Sequence, residues 1–301
     1  MVQVSAQNYI RDPKLQQELG LKVLTSGELR SLQMVLLEIY QEIHRICEKY
    51  SLTVLLGGGS ALGAVRHKGF IPWDDDMDLM MMRDEYDRFV EAFRKEADTR
   101  FRLRKNGLSL HIIKEGTKYQ GIFDSSQDDV GVYIDVFPID YAPENKISRF
   151  LRGCCSDFLL FTMNSRNIYL SRSVLLEKMF SANIKTRSCF RMRELLGYLV
   201  SGIKQETFLR IHRKIVVCSH DSKLVTIPSG RKHYFGELLD YSVFYPASKA
   251  LFEKRPCLLP GKVEVYLSNL YGMDYMNLPP EEKRETHPCS SFSITDNGDE
   301  K

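Results

Sequence analysis

The sequence predicts an α+β protein in which a mixed sheet is flanked by helices and a helical, basic segment occupies the C-terminal half. Three observations carry this expectation: a capped amphipathic stripe near the N-terminus, short apolar runs punctuated by glycine and proline between residues 52 and 137, and the loss of that strand pattern beyond Pro143. The chain has 301 residues, 43% of them hydrophobic and 27% charged, enough to bury a core.

The first element is a helix. Thr25-Ser26-Gly27-Glu28 has capping-box spacing, and behind it Leu29, Leu32, Leu36, Leu37, Ile39, Tyr40, Ile43, Ile46 and Cys47 fall on one helical stripe. Leu52 to Leu56 reads as a short buried strand that stops at a sharp turn, Gly57-Gly58-Gly59-Ser60. A helical stretch from Ala61 to His67 is broken by Gly69-Phe70-Ile71-Pro72, because proline lacks an N–H and clashes with the preceding turn. Met77 to Met82 reads as another strand, and Arg83 to Ala97 carries Tyr86, Phe89, Val90 and Phe93 at helical spacing. Strand-like pieces follow at Phe101–Leu103, Leu110–Lys114, Tyr119–Phe123 and Val130–Phe137. Beyond Pro143 the pattern is helical. Asn183 to Lys214 holds eight Lys/Arg against two Glu, which suits a solvated face, an anionic substrate or a membrane surface. The polar stretch after Pro288 reads as frayed. These breaks divide the chain into an N-terminal extension (1–25), a core (26–142), a helical segment with the remainder of the same domain (143–285) and a flexible tail (286–301).

Charge and cysteine usage exclude several classes. Lys+Arg total 42 against Asp+Glu 39, a net charge of +3, and no basic-aromatic interleaving appears, so nucleic acid is not the expected partner. Seven cysteines, an odd number without a CxxC pair, point to a reducing compartment rather than a disulfide framework. The N-terminus has no basic region followed by an apolar stretch, and no apolar run approaches the roughly 18 residues of a membrane span. The expected location is cytoplasmic, with peripheral contact at the inner face of the membrane left open through the basic helices. Cys218, His220, His233 and Cys257 include zinc-ligand types, but their irregular spacing argues against a zinc site.

The chemistry concentrates between Gly57 and Asp78. In an extended segment alternate side chains share a face, so Asp74, Asp76 and Asp78 point one way, Asp76 and Asp78 most securely. Like carboxylates on one face repel unless a cation sits between them, and Mg²⁺ is held by one or two carboxylates plus substrate phosphates. Asp74, Asp76 and Asp78 with Glu85 also imitate a calcium loop, but its obligatory glycine would fall at Leu79, inside an apolar run. A solvated acidic surface or a helix cap are the other plain readings. Asp135, a lone acid in the apolar strand Val132–Pro138, is the candidate third carboxylate. Gly58, Gly59 and Ser60 could cradle phosphate with amides and a hydroxyl. Arg66 and His67 suit a phosphate or a helix end, Trp73 a base, a quaternary ammonium or the core, and Lys114 a phosphate or solvent.

These blocks resemble the LicD family. Gly63 to Asp78 followed by Arg83-Asp84-Glu85-Tyr86, then Ile134 to Asp140, then Leu270 to Pro280, are similar to its motifs and occur in its order. Met273 between Gly272 and Asp274 departs from the family's more direct Gly-Asp. The resemblance implies a nucleotidyltransferase-like fold and transfer of phosphocholine or a similar phospho-alcohol from a CDP-linked donor to a sugar or glycolipid acceptor. It implies that Asp76, Asp78 and Asp135 are catalytic and hold Mg²⁺ or Mn²⁺, and that Tyr271, Asp274 and Tyr275 close the site or pack beside it. Nucleotidyl transfer with release of pyrophosphate, and a non-catalytic binding protein, are the alternatives.

Overall fold

The computed structural model describes residues 16, 20–121, 131–171, 174–181, 184–218, 222–284 and 288–294. Helix α1 (Ser26–Lys49) begins as its capping box requires: Thr25 Oγ1 accepts from the Glu28 N–H, and Glu28 Oε2 accepts from the Thr25 N–H at 3.0 Å. Its stripe from Leu32 to Cys47 is buried, as the periodicity predicts. β1 shrinks to Leu55–Leu56, because the preceding backbone turns away to hydrogen-bond elsewhere: Leu52 N–H donates to Cys47 O and Thr53 N–H to Glu85 Oε1.

The glycines after β1 do not form a separate turn. Gly57 is the N-cap and Gly58–Arg66 is helix α2, so the predicted helix starts three residues earlier than its apolar pattern. β2 (Asp78–Met82) runs into α3 (Arg83–Glu96), followed by β3 (Phe101–Asn106), β4 (Ser109–Lys114), β5 (Thr117–Gly121) and β6 (Tyr133–Ala142). The predicted ends at Phe123 and Val130 lie outside the described residues. The main sheet has the order β1-β2-β6-β4-β3; β2 and β6 are parallel, their neighbours antiparallel. α1 packs across β4 and β6, and α3 across β2, β3 and β6.

Past β6 the chain forms α4 (Lys146–Ser171), α5 (Val174–Ser181), α6 (Ile184–Leu199) and α7 (Gln205–Val216). It then returns: β7 (Leu224–Thr226) extends the sheet beside the end of β6 and pairs with β8 (Leu239–Asp240), with α8 (His233–Gly236) between them. α9 (Tyr241–Phe244), the hairpin β9 (Ser248–Phe252) and β10 (Arg255–Leu259), and α10 (Val263–Tyr271) complete this half. The expected flexible tail is corrected in part. Cys289–Ile294 is strand β11, paired antiparallel with β5, because alternate Ser and apolar residues offer the β5 edge a matching ladder. Of the zinc candidates, His220 lies outside the described residues, and among the described residues no three His, Cys, Asp or Glu side chains cluster as metal ligands.

Candidate active site

The site forms where β2 and the start of α2 meet. Gly57 N–H donates to Asp78 O at 2.9 Å, and Asp78 N–H donates to Ser60 Oγ at 2.9 Å, so the helix start and the acid strand are stitched by two hydrogen bonds. Carboxylates lie against the start of the helix, and Gly58 takes a left-handed backbone conformation that glycine adopts without strain. A Cβ on Gly58, whose φ is +43°, would stand 2.7 Å from Asp78 Oδ2, and one on Gly59 would stand 2.9 Å from Asp74 Oδ2. The positive end of the helix dipole favours these negative neighbours.

A cavity of about 140 Å³ opens at this junction, and Asp74, Asp76 and Asp78 all line it with Gly57, Gly58 and Gly59. The alternation argument is borne out for the three aspartates, although only Asp78 belongs to a regular strand. Asp135 is the register partner of Asp78 on the parallel neighbour β6, so both side chains leave the sheet on the same face. Asp135 is not among the residues lining the cavity. Its Oδ1 accepts from Ser109 Oγ at 3.0 Å and lies 3.2 Å from His111 Nε2, and the His111 ring stacks on Tyr133 at 3.9 Å between centroids.

The opposite wall comes from the C-terminal half. Ile227, Gly230, Arg231, Glu237, Tyr266, Leu270 and Tyr271 line the cavity from loops and helices far along the chain. Tyr266 Oη accepts from Gly58 N–H at 3.0 Å and its O–H donates to Met80 Sδ, tying α10 to the helix start and to β2. Arg231 lies over the Tyr271 ring at 5.4 Å. Burial holds the Tyr271 phenol well above its usual pKa, with the Asp78, Asp74 and Asp76 charges adding to the effect. Glu237 is buried and its carboxyl is pushed up to about 7 by desolvation, although it accepts from Lys232 N–H at 2.9 Å. Arg231 and Glu237 escaped the sequence reading because Ser229-Gly230-Arg231-Lys232 looks like any basic turn; Gly230, whose Cβ would meet Glu237 Oε1 at 2.3 Å, was the available signal.

Several expected binding residues lie elsewhere. Ser60 is buried, does not line the cavity, and accepts the Asp78 N–H, which gives it a structural part in holding the acid strand. Gly58 N–H is already engaged by Tyr266 Oη, while Gly59 lines the cavity. Arg66 donates to His67 Nε2 and to the carbonyls of Tyr275 and Asn277, so it anchors the C-terminal signature instead of a phosphate. Burial lowers the pKa of both Arg66 and His67. Trp73 has the Arg284 guanidinium 4.4 Å over its ring and His67 edge-on beside it, and it does not line the cavity. Lys114 pairs with Glu38 of α1. Strand alternation puts it on the face opposite His111, away from the site. Tyr271 lines the cavity, whereas Asp274 and Tyr275 do not.

Comparison with known proteins places the sequence among relatives. The LicD/FKTN/FKRP nucleotidyltransferase domain model matches residues 51–151, which include Asp74, Asp76, Asp78 and Asp135. The lipopolysaccharide cholinephosphotransferase LicD of Haemophilus influenzae is 30% identical over 270 residues, covering 86% of this chain and 95% of that protein. An uncharacterized protein of Rickettsia typhi is 28% identical over 113 residues, 37% of this chain and 36% of its own length.

Proposed function

The chain belongs to the LicD family, and on that premise we propose that it transfers phosphocholine or a similar phospho-alcohol from a CDP-linked donor to a sugar hydroxyl of a cell-surface glycan. The observation that carries this reading is the cavity itself, which Asp74, Asp76 and Asp78 line together with Arg231 and the glycines at the start of α2.

Among the described residues no three acidic, His or Cys side chains cluster as a metal site, so the expected three-aspartate ligand set is not preassembled, and a hard divalent cation would rely on two cavity carboxylates with substrate phosphates completing its shell. Carboxylate oxygens crowd against Gly58 and Gly59 so closely that a methyl group would not fit, and Mg²⁺ or Mn²⁺ sites commonly take only one or two carboxylates plus substrate phosphates. Asp76 and Asp78 would hold the ion, with Asp135 beside them on the same sheet face. When bound, the ion supplies charge neutralisation on the diphosphate and on departing CMP. Arg231 is placed to bind donor phosphate oxygens, with Tyr271 beneath its guanidinium. Transfer then proceeds by attack of the acceptor oxygen on the phosphorus bearing the alcohol. A new P–O bond forms, the bridging P–O bond to CMP breaks, and the hydroxyl proton passes to a carboxylate of the site. Asp135, held by Ser109 and His111 beside Asp78 but outside the cavity lining, acts on this reading as a positioning group. All seven cysteines are free thiols, in keeping with action in a reducing, cytoplasmic setting.

The test is incubation with CDP-choline or CDP-ribitol, Mg²⁺ and a lipopolysaccharide or teichoic-acid acceptor. Release of CMP with an acceptor heavier by one phospho-alcohol supports the proposal. Pyrophosphate release from a nucleoside triphosphate would replace it with nucleotidyl transfer, and no product across a broad donor panel would leave a binding protein.

A further inference from the structure

The helical module carries an apolar surface that the catalytic reading does not use. On α4, Ile147, Phe150, Leu151 and Phe158 recur at helical spacing on one side and are 57–72% exposed. Phe150 continues this stripe onto Phe235 of α8, with ring centroids 6.1 Å apart and Phe235 itself 43% exposed. Gly153 permits the approach, because a Cβ there would stand 2.3 Å from the Phe235 ring. In sequence Phe235 falls between Arg231 and Glu237, which both line the cavity.

Charge names the occupant. Residues 146–216 hold fourteen Lys/Arg and four Asp/Glu, a balance of +10 in a chain whose total is +3. The rest of the molecule is therefore acidic, and the positive charge is gathered on the module that exposes the stripe. A second copy docking through the same face would set this excess against itself. No helix among the described residues is long and apolar enough to cross a membrane, so α4 cannot be a span. An apolar stripe on a strongly basic helical module is the pattern of a helix lying in the headgroup region of an anionic bilayer.

We propose that α4, through Ile147, Phe150, Leu151 and Phe158 and extended by Phe235, docks this protein on the surface of an anionic lipid bilayer. The inference does not rest on the phosphotransferase reading, since docking is measured without turnover.

The full chain is mixed with vesicles of phosphatidylcholine alone or of phosphatidylcholine with phosphatidylglycerol, and binding is read by co-sedimentation. The wild type binds the anionic vesicles, binds neutral ones much less, and is released by high salt. Phe150→Ser combined with Phe158→Ser weakens binding by at least about tenfold. It leaves the circular dichroism spectrum and CMP release with a water-soluble acceptor unchanged. Lys185→Glu with Arg187→Glu, on exposed positions of α6, lowers affinity for anionic vesicles and removes most of its salt dependence. The proposal is overturned if the wild type ignores both vesicle types, or if the double serine variant binds as well as the wild type. It is equally overturned if the wild type is a dimer that the serine substitutions dissociate, which would make the stripe a contact between copies.

Discussion

The Ser60 hydroxyl accepts the Asp78 backbone N–H at 2.9 Å, so a residue read as a phosphate ligand instead sets the height of the acid strand over the start of α2. Ser60→Ala leaves that buried N–H without a partner. A loss of about 1–3 kcal/mol is expected in urea unfolding, with reduced turnover from a misplaced Asp78. Unchanged stability would mean that the strand is positioned by the Gly57–Asp78 bond alone.

Gly58→Ala meets two obstacles, a φ of +43° and an oxygen of Asp78 at 2.7 Å from the new Cβ. The backbone strain costs roughly 1–2 kcal/mol. CMP release should fall far more than that, because the carboxylate has to move aside. A variant with normal activity would show that Asp78 is not needed where it stands.

Asp76→Asn and Asp78→Asn should abolish turnover while leaving the thermal midpoint equal to or above that of the wild type, since each removes like-charge repulsion within the cavity. Mg²⁺ with a cytidine nucleotide should raise the midpoint of the wild type and not of either variant. Global unfolding of the variants would assign these residues a structural role.

Arg83 and Asp140 form a bidentate pair at 2.7 and 2.8 Å, with Asp140 fully buried. Removing one partner leaves an uncompensated charge, and Arg83→Met should cost about 3–5 kcal/mol. Activity should be lost only in proportion to the unfolded fraction, which separates this pair from the catalytic acids in a denaturation series monitored alongside CMP release.

Glu237 has a folded pKa of about 7 against an ordinary value of 4.5. The folded state therefore holds a proton that the unfolded state gives up between these values, and the stability conferred by the neutral form is lost as pH rises through that window. Glu237→Gln, which keeps an oxygen for Lys232 N–H, should match the wild type below pH 4.5. Above pH 7 it should be more stable by something on the order of 3 kcal/mol, a difference that urea titrations across the range would detect. Parallel curves would show that the carboxyl is better solvated than its burial indicates.

The readable parts of this protein are those whose physics is local. Capping-box spacing and a 3.6-residue stripe define α1, and the period of two in an extended segment places Asp74, Asp76 and Asp78 on one cavity wall. The ordered blocks of motif were enough to name the family, which the comparisons show. Local reading misplaced the start of α2, because glycines resemble a turn unless one knows that carboxylates from another element press on them. Strand pairing decided that Asp135 shares a face with Asp78 and that Lys114 faces α1. Chain return decided that Arg231 and Glu237 form the far wall, and that Arg284 covers Trp73. Periodicity says which side of an element is buried; only packing says which distant residue is waiting there.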